Sequence, residues 1–213
     1  MNAKQTTWLA LAGWLIAVLT LGTSGAFSTP AGEPPIPILI GATLPLATFL
    51  AAYSGSRSFM ELVLSADLRL FAGVQAWRFG GFTFLALYTY DILPALFAWP
   101  AAIGDMAVAA AAPAIIIRLS RDVSFASSRG FITWNLLGIL DLVVAVSMGV
   151  LASGLVPGLT GAVTTQAMGR MPLVMIPAYF VPIFVMLHLG ALFQARKRTA
   201  VKEQLHPTAA PAA

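Results

Sequence analysis

Long apolar runs alternate with short polar stretches along the whole chain. Six of the runs hold about 20 mostly apolar residues, which is the length that an α-helix needs to cross the hydrocarbon core of a bilayer. We therefore predict six membrane-spanning helices, separated by short loops. They lie at residues 7–25, 36–54, 70–90, 99–117, 131–153 and 172–193.

The composition agrees with a protein embedded in lipid. Of the 213 residues, 59% are hydrophobic and only 9% are charged, and the mean hydropathy is +0.86. Soluble domains carry about a quarter charged residues, so this chain has too few to cover a soluble surface. The fold class we predict is an all-α integral membrane protein. Residues 1–198 would form a single helical bundle, and residues 199–213 a disordered cytoplasmic tail.

The lysines and arginines predict the orientation of these spans. Of the twelve, Arg170 falls on one side of the six-span model, Arg78 falls inside a span, and the others share the opposite side. Because Lys and Arg concentrate in cytoplasmic loops, both termini are expected in the cytoplasm, with the protein in a bacterial cytoplasmic (inner) membrane. The basic residues behind the net charge of +4 lie where this topology requires them. The charge therefore does not predict a nucleic-acid partner. The residues on the cytoplasmic side are Lys4, Arg57, Arg69, Arg118, Arg121, Arg129, Arg196, Lys197, Arg198 and Lys202.

The first predicted span also fits a secretory signal peptide. Lys4 would be its basic region, Trp8 to Leu21 its apolar region, and Ser24 to Ala26 its cleavage zone. Cleavage would leave five spans with the same orientation. The sequence leaves both alternatives open.

A stretch that mixes charged and apolar residues separates the second and third predicted spans. Residues 57–67 read RSFMELVLSAD, a pattern that indicates a short helix lying at the cytoplasmic interface. Ser65 or Asp67 is expected to cap the start of the third span, since both residue types favour helix N-termini.

Five polar side chains lie inside the predicted spans and are the candidate site residues. An ionisable side chain in a span costs about 2.5–3.5 kcal/mol on insertion scales, which makes such residues the default functional candidates. They belong to the third to sixth spans, between the inner boundary and slightly past the midplane, so we predict that they converge inside the bundle. The five are Arg78, Asp105, Asn135, Asp141 and His188.

Arg78 is the only arginine or lysine within the predicted spans, so its pairing decides the chemistry of the site. We predict that it pairs with Asp105 and serves only one carboxylate well, so that Asp141 competes and one aspartate holds a proton near neutral pH. The alternatives are snorkelling for Arg78 and a purely structural ion-pair network for the aspartates. His188 would then bond a backbone carbonyl at the interface, and Asn135 would join two helices.

Several chemistries are excluded or disfavoured. The chain has no cysteine, which excludes disulfides, iron–sulfur clusters, thiolate metal sites and cysteine nucleophiles. We find neither a nucleotide-binding glycine loop nor an HExxH zinc motif, so no metal site is predicted and a non-enzymatic protein is favoured. No cofactor is expected, although a haem held by His188 and a methionine stays open as an alternative.

The sequence thus leads to one function hypothesis and two rivals. The leading hypothesis is that the polar cluster binds or translocates a proton or small solute, in a homo-oligomer or beside another membrane protein. One rival is a non-transporting accessory or assembly subunit whose ion pairs are structural. The other is a redox subunit associated with haem or quinone through His188.

Overall fold

The chain folds into helices joined by short turns. The computed structural model describes residues 2–30 and 32–205, and within these ranges every regular element is helical. Shorter 3₁₀ and π-helical turns connect or extend the α-helices. The α-helices are α1 (Ala3–Thr23), α2 (Ile36–Gly55), α3 (Arg57–Ser65), α4 (Leu68–Gln75), α5 (Thr83–Thr89), α6 (Ala95–Arg121), α7 (Arg129–Val150) and α8 (Val181–Leu205).

Five helical segments are long and apolar enough to cross a membrane. They correspond to the predicted spans 7–25, 36–54, 99–117, 131–153 and 172–193, with ends shifted by a few residues. The architecture is therefore that of a multi-pass α-helical membrane protein. The segments are Ala3–Thr23, Ile36–Gly55, Ala95–Arg121, Arg129–Leu155 and Ile176–Thr199.

The span predicted at residues 70–90 is helical from Leu68 to Thr89, but it is not one continuous α-helix. Helix α4 ends at Gln75, a 3₁₀ helix runs from Ala76 to Phe82, and α5 begins at Thr83. Two adjacent glycines, Gly80 and Gly81, lie in the 3₁₀ stretch, and glycine weakens an α-helix more than any residue except proline. Arg78 therefore lies on a 3₁₀-helical backbone and not on an α-helical one.

This broken segment packs along α6 over most of that helix. Leu68 and Ala72 in α4 join a buried cluster with Ile115 and Leu119, near the C-terminal end of α6. At the other end of the segment, Phe84 meets Phe97 near the start of α6, with ring centroids 5.2 Å apart. The segment from α4 to α5 therefore lies antiparallel to α6.

The two ends of the bundle differ in chemistry. We call the end where α6 finishes and α7 begins the basic end, because Arg118, Arg121 and Arg129 lie there. We call the opposite end the loop end, formed by residues 24–30, 32–35 and 151–171. At the basic end Asp122 caps a 3₁₀ turn, and hydrogen bonds from the Ser124 hydroxyl and backbone N–H lower the pKa of its carboxyl.

The short helix predicted after α2 is present as α3. Of the two residues predicted to cap the next helix, Asp67 does so, accepting a hydrogen bond from the Arg69 backbone N–H at 2.9 Å. Its carboxylate also pairs with the Arg69 side chain, and these bonds lower the pKa of Asp67.

Helix α1 meets the rest of the bundle along one narrow face. The Trp14 indole N–H donates to the Ala178 carbonyl at 2.9 Å, and Val18 is fully buried. Gly22 packs closely against Met171 and Val174. Most other residues of α1 are exposed in the isolated chain, as expected of a helix that faces lipid on its remaining sides.

Helix α8 extends into the predicted tail. Residues 199–205 were predicted to be disordered, whereas α8 continues to Leu205. The helix continues through this polar stretch because residues 199–205 contain no proline or glycine that would end it. Residues 206–213, which complete the predicted tail, lie outside the described residues.

A matched pair of glycine substitutions tests the packing of the loop end. A Cβ added at Gly169 would lie 2.7 Å from the Phe27 backbone carbonyl oxygen, whereas nothing lies within 4 Å at Gly13 in α1. We expect Gly169→Ala to lower the free energy of unfolding by about 1–3 kcal/mol. Gly13→Ala should be neutral or stabilise by up to about 1 kcal/mol. Thermal unfolding of the purified protein measures both, and equal midpoints would contradict the close packing at Gly169.

Candidate functional site

The side chain of Arg78 lies at the centre of the bundle, where it is 0% exposed. Its Nε donates a hydrogen bond to Asp105 Oδ1 at 2.7 Å, and its Nη2 contacts Asp141 Oδ2. Nη1 donates to the Gly138 carbonyl at 3.3 Å and lies 3.2 Å from His188 Nε2. Every nitrogen of the guanidinium group therefore has a partner.

These contacts decide between the interpretations of Arg78. The predicted pair with Asp105 is confirmed, and snorkelling toward the interface is wrong because the side chain is buried. The expectation that Arg78 serves only one carboxylate well is also wrong. Asp105 on α6 and Asp141 on α7 approach different nitrogens of the same planar group, so one arginine pairs with both.

The hydrogen bonds of His188 fix where its ring proton lies. An arginine can only donate, so Nε2 of His188 accepts from Arg78 and carries no hydrogen. The proton is then on Nδ1, which donates to Asn135 Oδ1 at 2.9 Å. The Asn135 amide in turn donates to the Phe131 carbonyl at 2.8 Å. His188 is thus a neutral imidazole with both nitrogens bonded.

All five candidates from the sequence meet in one place, which we call the Arg78 cluster: Arg78, Asp105, Asn135, Asp141 and His188. Asn135 joins α7 to α8 through His188, so its interhelical role is confirmed. The interpretation of His188 as an interface residue bonded to a backbone carbonyl is wrong. Its side chain is 0% exposed and bonds Arg78 and Asn135 instead, because α8 continues well beyond it toward the basic end.

Three glycines allow the helices to approach the cluster. At each one, an added Cβ would enter the space that a cluster side chain occupies. Such close approach of helices is what small residues provide inside a membrane. The pairs are Gly81 with Asp105, Gly104 with Asp141, and Gly138 with His188.

Sequence reasoning missed two residues beside the cluster. Gln75 is 1% exposed, and its amide donates to the Phe184 carbonyl at 3.0 Å, which ties α4 to α8. The signal for it was an amide three positions before Arg78, on the same helical face. Trp134 stacks edge-on against His188 at 5.3 Å and donates to the Val108 carbonyl.

A cleft leads from the loop end down to Asp105. It encloses about 840 Å³, counting its open mouth, between α2, α5, α6, α7 and the π-helical turn before α8. Its mouth lies at Glu33, which is exposed, and Ser153 and Gln166 also line it. Asp105 is therefore the member of the Arg78 cluster that this space reaches.

The charges of the cluster do not cancel. One guanidinium (+1) faces two carboxylates (−2), which gives a net charge of −1 when both acids are ionised. The Asp105 and Asp141 side chains are only 15% and 12% exposed. In the part of the chain that the structure describes, no three His, Asp or Glu side chains gather as metal ligands.

Fold and site together define a class of protein, a multi-pass α-helical membrane protein with a buried arginine–carboxylate cluster. Residues 35–196 match the model of the family described as domain of unknown function DUF8737. The chain belongs to that family. A comparison with curated proteins finds no match, and neither does one with solved structures. The matched range runs from the N-cap of α2 into α8 and contains the whole Arg78 cluster.

The dual pairing of Arg78 predicts how charge removal should be rescued. Arg78→Ala leaves two buried carboxylates without a cation and should cost about 3–5 kcal/mol, seen as a lower yield of folded protein in detergent. Adding Asp105→Asn should rescue part of the loss, and adding Asp141→Asn as well should rescue more. Arg57→Ala, which removes an exposed ion pair with Glu61, should have little effect. Full rescue by Asp105→Asn alone would contradict the dual pairing.

Proposed function

We propose that the Arg78 cluster is the proton-binding site of a membrane carrier for protons or small solutes. The observation that supports it best is a buried site with an excess carboxylate at the floor of a cleft that opens at one end of the bundle. The description of the matching family names no activity, so the proposal rests on the geometry of the site.

Charge balance is the first step of the argument. A net charge of −1 held away from water is costly, and a single proton neutralises it without disturbing Arg78. Either Asp105 or Asp141 can accept that proton and keep its hydrogen bonds to the guanidinium through one oxygen. The cluster therefore has two carboxylates for one guanidinium, and the second carboxylate can accept a proton.

Access is the second step. Asp105 lies at the floor of the cleft, so water or a solute can reach it from the loop end. On the other side of the cluster, the buried residues Phe131, Trp134 and Leu119 pack together toward the basic end. A site that opens toward one side and is closed toward the other is what an alternating-access carrier needs in one of its states.

We further propose six crossings, with both termini in the cytoplasm of a bacterial cell. The broken segment from Leu68 to Thr89 supports the sixth crossing, because its α-helical residues at about 1.5 Å each and its 3₁₀ residues at about 2.0 Å each together extend about 36 Å. It lies antiparallel to α6, which is itself long enough to cross. The basic end would then face the cytoplasm, as the positive-inside rule requires.

A second candidate function is a structural accessory subunit. It is favoured by the hydrogen bonding of all three nitrogens of the Arg78 guanidinium, because a hydrogen-bonded polar network can serve only to fix how helices pack. Under this alternative the cluster keeps one protonation state at all accessible pH values.

The redox alternative has less support. Both nitrogens of His188 are hydrogen bonded, so an iron would have to displace Arg78 or Asn135. The absorption spectrum of the purified protein tests this alternative directly.

Titration of the cluster separates the carrier from the structural subunit. The charged groups that face Asp141 are Arg78 and Asp105. We expect infrared difference spectra against pH to show a carboxyl band that titrates above about pH 5, where an unperturbed aspartate is already ionised. Asp141→Asn should abolish the band, whereas Glu61→Gln, at an exposed ion pair, should keep it. Absence of the band in the native protein would favour the structural subunit.

Cysteine labelling tests the proposed topology. Leu159 lies exposed in the loop end and Ser124 lies exposed in the turn between α6 and α7. With a membrane-impermeant thiol reagent on intact cells, Leu159→Cys should label and Ser124→Cys should label only after lysis. The chain has no cysteine of its own, so the unmodified protein is the control. Labelling of both cysteines from the same side would contradict the proposed topology.

A further inference from the structure

We propose that the cleft binds an organic ammonium ion with an apolar body, and that its charged nitrogen is held at Asp105. This inference rests on the proposed function, because it uses the same excess negative charge. It goes further in naming the chemical class of the solute.

The walls of the cleft favour an apolar body. Aromatic rings and branched aliphatic side chains make up most of its surface, as they do in most small-molecule sites. The principal apolar lining residues are Phe27, Phe84, Phe97, Leu142, Val146 and Ile176.

The charges in the cleft favour a cation. The ionisable residues that line it are Asp105 at the floor and Glu33 at the mouth, and both are acids. Arg78 itself does not line the cleft, so an anion entering it would meet carboxylates before it met the guanidinium. An ammonium group at Asp105 would bring the net charge of the buried cluster to zero, as a proton does.

The mouth offers a second polar contact. Thr29 Oγ1 and Gln166 Nε2 are buried there without a hydrogen-bond partner. The neighbouring Thr165 hydroxyl donates to the Gly149 carbonyl at 2.5 Å, and Gly149 lies two turns beyond Asp141, or about 12 Å along α7. A ligand with its ammonium group at Asp105 and a hydroxyl or carbonyl oxygen at its far end would satisfy both ends of the cleft.

Octylamine, octanol and octanoate form a matched set of probes for the charge. They share one apolar chain and differ in carrying a positive, neutral or negative head group. We would measure their binding to the full chain in lipid nanodiscs by calorimetry at neutral pH, after subtraction of binding to protein-free nanodiscs. Saturable binding of octylamine is expected, with octanol at least about tenfold weaker and octanoate without saturable binding.

Two variants test the location. Asp105→Asn should weaken octylamine binding by at least about tenfold, whereas Glu61→Gln, an exposed acid away from the cleft, should leave it unchanged. Val146→Phe fills the cleft without altering a charge, and it should also abolish binding. If Asp105→Asn does not fold, Val146→Phe together with the comparison of octylamine and octanol decides the question.

The outcomes separate this inference from the proton site. Equal binding of octylamine and octanol, binding of octanoate, no saturable binding, or binding unchanged in Val146→Phe would each overturn it. A titrating carboxyl band without octylamine binding would overturn the proposed ligand and leave the proposed proton-binding site standing. Octylamine binding at Asp105 without a titrating band would overturn the proposed proton-binding site and leave the proposed ligand standing.

Discussion

The hydrogen bonding of one guanidinium group is the constraint around which this bundle is built. Arg78 brings a positive charge into the buried centre of the bundle, and a buried charge is tolerated only when it is paired and hydrogen bonded. The acceptors come from α6, α7 and α8. Because the guanidinium is planar and its donors point in fixed directions, these three helices must meet at set distances and rotations around it.

The small residues of the bundle follow from this constraint. Lipid does not drive helices together as water does, so close packing has to supply the contact energy. Helix α6 is lined with buried alanines on either side of Asp105, and with Gly104 beside it. The small residues around Asp105 thus let the neighbouring segments come near enough for Arg78 to contact both Asp105 and Asp141. The buried alanines of α6 are Ala98, Ala101, Ala102, Ala109 and Ala112.

The parts of this structure that could be predicted are those that a lipid solvent dictates. Apolar length gave five of the helices, and the cost of polar groups in lipid pointed to Arg78, Asp105 and Asp141 as partners. The break at residues 76–82 escaped prediction because hydropathy does not distinguish α from 3₁₀ backbone. The dual pairing escaped because depth along a helix axis says little about rotation around it. The cleft depends on side chains from five segments, which no local pattern encodes.

The hydrogen bonds from Arg78 through His188 and Asn135 to the Phe131 carbonyl all run in the same direction. Each group in this series donates to the next, so no member can reverse without reversing all those after it. A second proton on the imidazole would put two N–H groups face to face at Arg78 and break the series at its first link. A proton added to the Arg78 cluster would therefore go to Asp105 or Asp141, on the other side of the arginine, and not to His188.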